Sequence, residues 1–523
     1  MTANDRQQPA VTDTDGTPLR AGPMPHSLPM PDGGRQRASQ AGPVLASLAS
    51  RGFLTLAIAA ALSGCAALPQ SAARPQIASA ADYASSQSLT APVGVWPSDA
   101  WWQSYGDPQL DSLIREALAG APDIAVAEAR LRRAQAGTQV AEAAGRPQAS
   151  ASASAIQQKH SYNYLTPREL TPQGWDDYGS ASLSFSWQLD FWGRNRAALA
   201  AATSDANAAK AEAAQARLTI ATAIASAYAE LARQHAAHDT AVAALDVRAR
   251  TADLFRERHA NGLETLGSVR QVEARRESAA VDVLAIEEQM ATQRNRIAAL
   301  VGAGPDRGLA ITRPTVDVTR SFALPEHLEA ELLGRRPDVV AARMRAEAAA
   351  RRIDQARAEF YPNVNLSSVI GLQSKGLDML THNGSSTGSS GPAISLPIFS
   401  GGALRGQLRG AEADYAAAVA EYNRAVLQAL QELADAAVSQ KALGPQIDRT
   451  AGAVAAAREA WRIQSNRYEG GLASYLDVLS AQDDLLANLR TQSDLQSRSF
   501  ALDVALVRAL GGGYSIKSMQ ESG

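Results

Sequence analysis

After residue 147 the chain alternates small apolar and hydroxyl side chains from Gln148 to Ile156, and it alternates again from Ser182 through Leu183, Phe185 and Trp187 to Phe191. A period of two is that of a strand with two unlike faces. A second such pair, Asn363–Ile370 and Ala393–Phe399, brackets a Gly/Ser-rich loop around His382 to Gly391. About ten residues is the length a tilted strand needs to cross a bilayer. Elsewhere the period is helical. From Ala197 to Ala260 there is neither proline nor glycine, and an unbroken helix of that length reaches roughly 95 Å. The return segment places Val269, Val272, Ala279, Val283, Ile286, Met290, Ile297 and Leu300 at intervals of three and four, with Arg276 and Gln293 on the same stripe. Such a stripe predicts paired, supercoiled helices. A poorer copy, Val478, Ala481, Leu485, Leu495, Leu502 and Leu506, is interrupted by Asn488, Gln492 and Ser499.

These elements come twice. Pro122-Asp123-Ile124 followed by Arg146-Pro147 recurs as Pro337-Asp338-Val339 followed by Tyr361-Pro362. Phe191-Trp192-Gly193 through Arg196 recurs as Phe399-Ser400-Gly401 through Arg405. The segment from Arg258 to Gly262-Leu263 and Val269 recurs from Arg467 to Gly471-Leu472 and Val478. Ordered landmarks at a nearly constant shift imply one supersecondary unit written in tandem. The expected divisions are 96–312 for the first repeat and 313–523 for the second.

Four strands cannot close a barrel, and an open strand edge in lipid leaves backbone groups unpaired at a cost of several kcal/mol each. The chain must associate with itself. A dimer gives eight strands and a filled interior, whereas a trimer gives twelve and begins to leave a lumen. Aromatic residues gathered from Tyr162 to Trp192 suit a girdle at a membrane interface.

Composition refines the picture. Lys+Arg 50 against Asp+Glu 53 gives no excess positive charge, so nucleic acid is not an expected partner. Alanine dominates the apolar residues, which favours long, closely approaching helices. The strongly apolar run Phe53–Leu62 follows Arg51, Arg37 and Arg35 and reads as a secretory signal. It is too short to span a membrane. Leu62-Ser63-Gly64-Cys65 resembles a bacterial lipobox, in which the cysteine thiol takes a diacylglyceryl group and becomes the mature N-terminus. Cys65 is the single cysteine of the chain and so forms no internal disulfide, which lipidation accounts for. Residues 1–64 are expected to be an unfolded extension and signal, with Met24 and Met30 as alternative starts, and 65–95 a lipid-anchored linker. No cofactor beyond that covalent lipid is expected.

At this point a resemblance covers residues 96 to 512: the chain is similar to the TolC-like outer-membrane efflux family, in particular its lipid-anchored NodT-type members. The lipobox carries it, with Leu189-Asp190-Phe191-Trp192-Gly193-Arg194, Arg335-Arg336-Pro337-Asp338, the run from Ala356 through Phe360-Tyr361-Pro362, and Pro397-Ile398-Phe399 to Gly401. It implies an α+β membrane protein: a homotrimeric 12-stranded β-barrel with four strands per chain, continued by a long α-helical coiled-coil barrel. It further implies an outer-membrane channel in a tripartite efflux pump, whose partners are a periplasmic adaptor, an inner-membrane pump and outer-membrane lipid. The hairpin turns at Gly262-Leu263 and Gly471-Leu472 then map to adaptor-docking tips, and Tyr468, Leu476 and Asp477 to the channel gate. The family's usual gate aspartate falls on Ser480, and Asp477, one turn earlier, is the residue expected to place carboxylates at the mouth instead. Two rival readings are a type I protein-secretion conduit of the same fold and a lipid-anchored periplasmic scaffold without a pore. No catalytic constellation is visible, so an enzyme is not expected. His235 and His238 stand three apart without a third ligand spaced to complete a metal site, and no metal is expected.

Overall fold

The computed structural model describes residues 75–78, 82–84, 87–89, 92–316, 324–325 and 328–515. The chain divides into two units, Met1–Gly64 and Cys65–Gly523, and every described residue lies in the second. The expected signal, the lipobox and Cys65 lie outside the described residues.

In chain order the elements are β1 (Val93–Gly94), a 3-10 turn (Trp101–Tyr105), α1 (Pro108–Gly120), α2 (Pro122–Ala144), β2 (Gln148–Gln158) and β3 (Asp176–Leu189). Next come α3 (Arg194–Ala260), α4 (Leu266–Leu300), α5 (Asp306–Leu309), β4 (Leu324–Pro325), α6 (Leu328–Arg335) and α7 (Pro337–Ala358). The last four are β5 (Asn363–Lys375), β6 (Ser386–Ser395), α8 (Ala403–Glu469) and α9 (Tyr475–Ala509). Both long helices have 67 residues and both return helices 35. Among the described residues no helix is long and apolar enough to cross a membrane. Pro122 and Pro337 each open a helix, where the missing N–H has no intrahelical acceptor and the fixed φ suits the first turn.

The main sheet is antiparallel in the order β2-β3-β5-β6. Two expected boundaries need correction. The strand expected at Ser182 begins at Asp176 and takes in Tyr178, and the fourth strand is not Ala393–Phe399 but Ser386–Ser395, most of it inside the segment expected as loop. Glycine and serine carry too little side chain to display a face, so pairing with β5, rather than pattern, fixes this strand. Pro392 fits because β6 is an edge. The Gln373 N–H donates to the Ser385 carbonyl at 2.7 Å, which makes that a hydrogen-bonded pair and Leu366–Pro392 a non-hydrogen-bonded one. The nitrogen of Pro392 therefore points away from β5, toward the open edge.

The helix stripes are only half the packing. Val269, Val272, Ala279, Val283, Met290 and Ile297 are buried as expected. Gln293, on the same stripe, is also buried, and its amide donates to the Ala227 carbonyl of α3 at 2.7 Å, so it is satisfied rather than disruptive. On α9, Val478, Leu485 and Leu506 are buried, but so is a second row, Leu479, Phe500, Val504 and Val507. That helix packs against both α3 and α8. Phe500, Val504 and Val507 cluster with Ile220, Ile224 and Tyr228 of α3, while Leu506 clusters with Tyr422, Val426 and Leu433 of α8. A single heptad stripe finds one of these two seams.

Midway along the long helices lies the largest core, floored by Trp101, Trp102 and Tyr105 and by Leu110, Leu113 and Ile114 of α1. Asp107 organises it. One carboxylate oxygen caps α1 by accepting the Gln109 and Leu110 N–H groups at 2.8 and 3.2 Å. The other accepts the Tyr228 hydroxyl and the Thr315 N–H, both at 2.8 Å. Burial by itself would raise the carboxyl pKa, but these hydrogen bonds outweigh it and hold it below the usual aspartate value. A depressed folded pKa contributes stability that is present above the unfolded value of about 3.9 and lost as pH falls through the folded one. Asp107→Ala is expected to lower stability by about 2–3 kcal/mol at neutral pH through the lost cap and stranded donors. Thermal melts across pH test this, since the gap to wild type should shrink only below about pH 4.

Candidate functional site

Each long helix ends in the same turn. Gly262 and Gly471 both adopt φ of 74°, the left-handed region that glycine enters without a Cβ clash. The Leu263 N–H donates to the Arg258 carbonyl and the Gly262 N–H to that of His259, at 2.8 and 2.9 Å. Leu472 to Arg467 and Gly471 to Tyr468 repeat the pattern at 2.7 and 3.0 Å. This double closure satisfies the last carbonyls of a helix and sends the chain directly into a return helix. Leu263 and Leu472 stand out from these turns, 68% and 73% exposed.

The three residues singled out for a gate are brought to one end but differ in kind. Leu476 is 59% exposed in the first turn of α9. Asp477 turns back on its own helix, where its carboxylate accepts the Ser474 N–H at 2.9 Å and the Ser474 hydroxyl at 2.8 Å. These two bonds hold its carboxyl below the usual aspartate value, and the first of them is one half of a capping box whose other half joins the Asp477 N–H to the Ser474 side chain. Ser480 is exposed one turn on. Tyr468 faces the first hairpin: its ring stacks on Phe255 at 6.2 Å, and its hydroxyl donates to Glu264 at 3.3 Å. Arg258 lies 5.1 Å from the ring centroid, within cation–π range.

Several partners at this end were not foreseen. Phe255 and Tyr475 lie 4.4 Å apart, centroid to centroid, and pack with Ala252, Val269 and Val272. Farther along, Asp483 of α9 takes Arg248 of α3 and Arg275 of α4, at 2.9 and 3.3 Å. Arg490–Asp282 at 3.4 Å and Arg233–Asp494 at 3.1 Å continue the seam. The two hairpins of one chain are thus fastened along their lengths. With aromatics at only 5% of the chain, Phe255, Tyr468 and Tyr475 near the two tips are the signal that would have pointed to this cluster.

At the other end the sheet has two unlike faces. Ser182 pairs with Ser152 and Gly371, and Gly371 with Thr387, so one face carries Ser150, Ser152, Ser154, Ser180, Ser182, Ser184 and Ser186. Hydroxyls meet across it at Ser152–Ser182 and Ser154–Ser180, 3.0 and 2.8 Å. The other face carries Ala151, Ala153, Leu183, Phe185, Trp187, Leu366 and Ile370. The histidines do not pair with each other: His238 meets Glu287 at 3.3 Å, while burial and the nearby Arg294 and Arg313 depress the pKa of His235. Among the described residues no three metal-ligating side chains gather.

This architecture recurs in known proteins. The family model described as outer membrane efflux protein matches residues 113–303 and 328–512. The multidrug resistance outer membrane protein MdtP of Escherichia coli K12 is 31% identical over 87% of this chain and 94% of its own. The fusaric acid resistance protein FusA of Burkholderia cepacia is 39% identical over 61% of this chain and 60% of its own. The solved outer membrane protein VceC of Vibrio cholerae superposes with a TM-score of 0.76 at 50% identity, over 80% of this chain and all of that one. The Campylobacter jejuni CmeC outer membrane channel shares the helix-rich, TolC-like fold with a TM-score of 0.77 at 21% identity. This chain belongs to the outer membrane efflux protein family, a family of channels rather than enzymes.

Proposed function

We propose that three copies of this chain form the outer-membrane channel of a tripartite efflux pump, passing small organic molecules from a periplasmic adaptor and inner-membrane pump to the exterior. The observation that carries this reading is a four-stranded, two-faced sheet with two open edges, hung on two matched helical hairpins. Twelve strands close the edges, with the hydroxyl face toward the lumen and the apolar face toward lipid. The doubled unit, 96–312 and 313–523, supplies two hairpins per chain, so three chains give a twelve-helix tube. Relatives named for multidrug and fusaric acid resistance favour small toxic molecules as cargo over the protein cargo of a type I secretion conduit.

The tips Gly262-Leu263 and Gly471-Leu472 are read as the adaptor contact, because an exposed leucine on a rigid turn offers apolar area at little entropic cost. Tyr468, Leu476 and Asp477 are read as the gate, with Tyr468 latching the second tip to the first through Phe255 and Glu264. Lipid anchoring at Cys65 is supported by the course of the linker. The Pro75 carbonyl accepts the Tyr415 hydroxyl at 3.3 Å, and the Ala78 N–H donates to Asn423 at 3.1 Å, so toward Cys65 the chain runs along α8 in the direction of the sheet. Tyr415 lies about 18 Å below the start of that helix at 1.5 Å per residue. The ten residues back to Cys65 span up to about 35 Å, enough to bring the thiol to the membrane face.

Single-channel conductance in a planar bilayer tests the channel and its gate together. Small wild-type conductance that rises in Leu476→Ser or Asp477→Ala is expected; a large conductance indifferent to both would remove the gate, and failure to insert would favour the scaffold. Cys65→Ser is expected to abolish acylation yet leave heat-stable trimers in the outer membrane, because the barrel itself holds the protein there. Loss of folded trimer in that variant would contradict this division of labour.

A further inference from the structure

Arg336 stands at the break between α6 and α7 and is 4% exposed. Its guanidinium forks onto both oxygens of Asp338 at 3.0 and 2.6 Å. It also donates to Glu432 of α8 at 2.8 Å and to the Ala509 carbonyl, in the last turn of α9, at 3.3 Å. A planar group with donors on several edges can serve three elements at once, which an ammonium cannot do in fixed geometry. The Ala509 carbonyl is among the last four of its helix, which have no intrahelical donor, and a cation there also matches the negative end of the helix.

The end of α9 is shaped for this contact. Gly511 has φ of 86°, and a Cβ on it would fall 1.9 Å from the Arg335 carbonyl oxygen. Only glycine lets the helix end press on the Arg335–Arg336 backbone. The Gly512 N–H donates to the Val507 carbonyl at 2.9 Å and the Gly511 N–H to that of Arg508 at 3.0 Å, the closure already seen at both tips. A second tether lies one and a half turns back, where the Tyr105 hydroxyl donates to Asp503 at 2.5 Å.

The two helices that Arg336 joins are those of the second hairpin, and it joins them far from the tip. Glu432 precedes Glu469, and Ala509 follows Tyr475, by helix lengths of about 50–55 Å. Between this point and the tip, the ion pairs of α9 with the first hairpin each include a side chain at least half exposed, at Asp483, Asp282 and Asp494. Such pairs are screened and individually weak. At the level of Arg336 the hairpin is held by a buried, directional ionic fork, whereas toward the tip its polar ties to the first hairpin are exposed and the buried contacts are apolar and non-directional.

We infer that Arg336 is a positioning residue of the gate: it clamps the middle of α8 and the C-terminal end of α9 to α7, so that the part of the second hairpin beyond it moves as one lever about that clamp and α9 does not slide along α8. The inference rests on the gate reading above. With the clamp weakened, the tip loses its register while the trimer persists.

The test compares purified wild type, Arg336→Lys, and the triple variant Arg336→Met with Asp338→Asn and Glu432→Leu, which removes the cation together with both of its carboxylates. Trimer content, melting temperature and bilayer conductance are measured for each, with Asp107→Ala as a destabilised control. Arg336→Lys is expected to form trimers whose resting conductance is about tenfold above wild type, the population shift that loss of one charge-assisted hydrogen bond allows. The control should melt earlier yet conduct like wild type. Trimeric Arg336 variants with wild-type conductance, an equal rise in Asp107→Ala, or failure of both Arg336 variants to assemble would each overturn the clamp. A raised conductance in Arg336→Lys with none in Leu476→Ser would support the clamp and overturn the gate placement instead, so the two readings fail separately.

Discussion

A sheet of four strands with two unpaired edges cannot rest alone in hydrocarbon, because each unmet N–H or carbonyl on those edges costs several kcal/mol there. In the order β2-β3-β5-β6 the edges are β2 and β6, and the account depends on another copy of the chain covering them. Their composition agrees with that role. Both edge strands are built mainly from alanine, serine and glycine, which allow close approach. The bulky side chains, Phe185, Trp187, Leu366 and Ile370, belong to the inner strands. Pro392 turns its nitrogen to the open side, so the seam is expected to lack one ladder bond at that position.

The same constraint reaches the helices. Closing the sheet around a lumen calls for helices matched to the strands, and the two hairpins, with helices of 67 and 35 residues twice over, supply four helices for four strands. Where the levels meet, around Asp107 and Arg336, polar side chains are buried and fully engaged. Toward the tips the contacts become aromatic and ionic and more exposed. A rigid middle with looser ends suits a tube that stays assembled while its mouth changes.

Much of this was legible from period and spacing. Alternation located β2 and the inner strands, freedom from proline and glycine located α3, and Gly262 and Gly471 marked both turns. The failures share a physical cause. β6 has few side chains large enough to show a face, so its pairing is set by a partner distant in sequence. Phe500, Val504 and Val507 serve a second seam that one heptad stripe conceals. Arg336 was visible as part of a motif, but nothing local shows that it reaches Glu432 and Ala509, because contacts across 96 and 173 positions leave no period. Tyr468 lies beside the tip, and nothing local shows that it reaches Phe255 and Glu264, which lie in the other hairpin.

The claim on which everything else depends is that β2 of one copy pairs with β6 of the next. It is tested by placing a cysteine at Ala151 and scanning single cysteines from Ser386 to Ser395, in the Cys65→Ser background, with mild oxidation in the membrane. Within one chain these strands are separated by β3 and β5, a distance of about 14 Å at 4.8 Å per strand, too far for an internal disulfide. The account predicts a reducible ladder that reaches three chains and stops. Absence of any cross-link along β6, or a ladder ending at two, would contradict it.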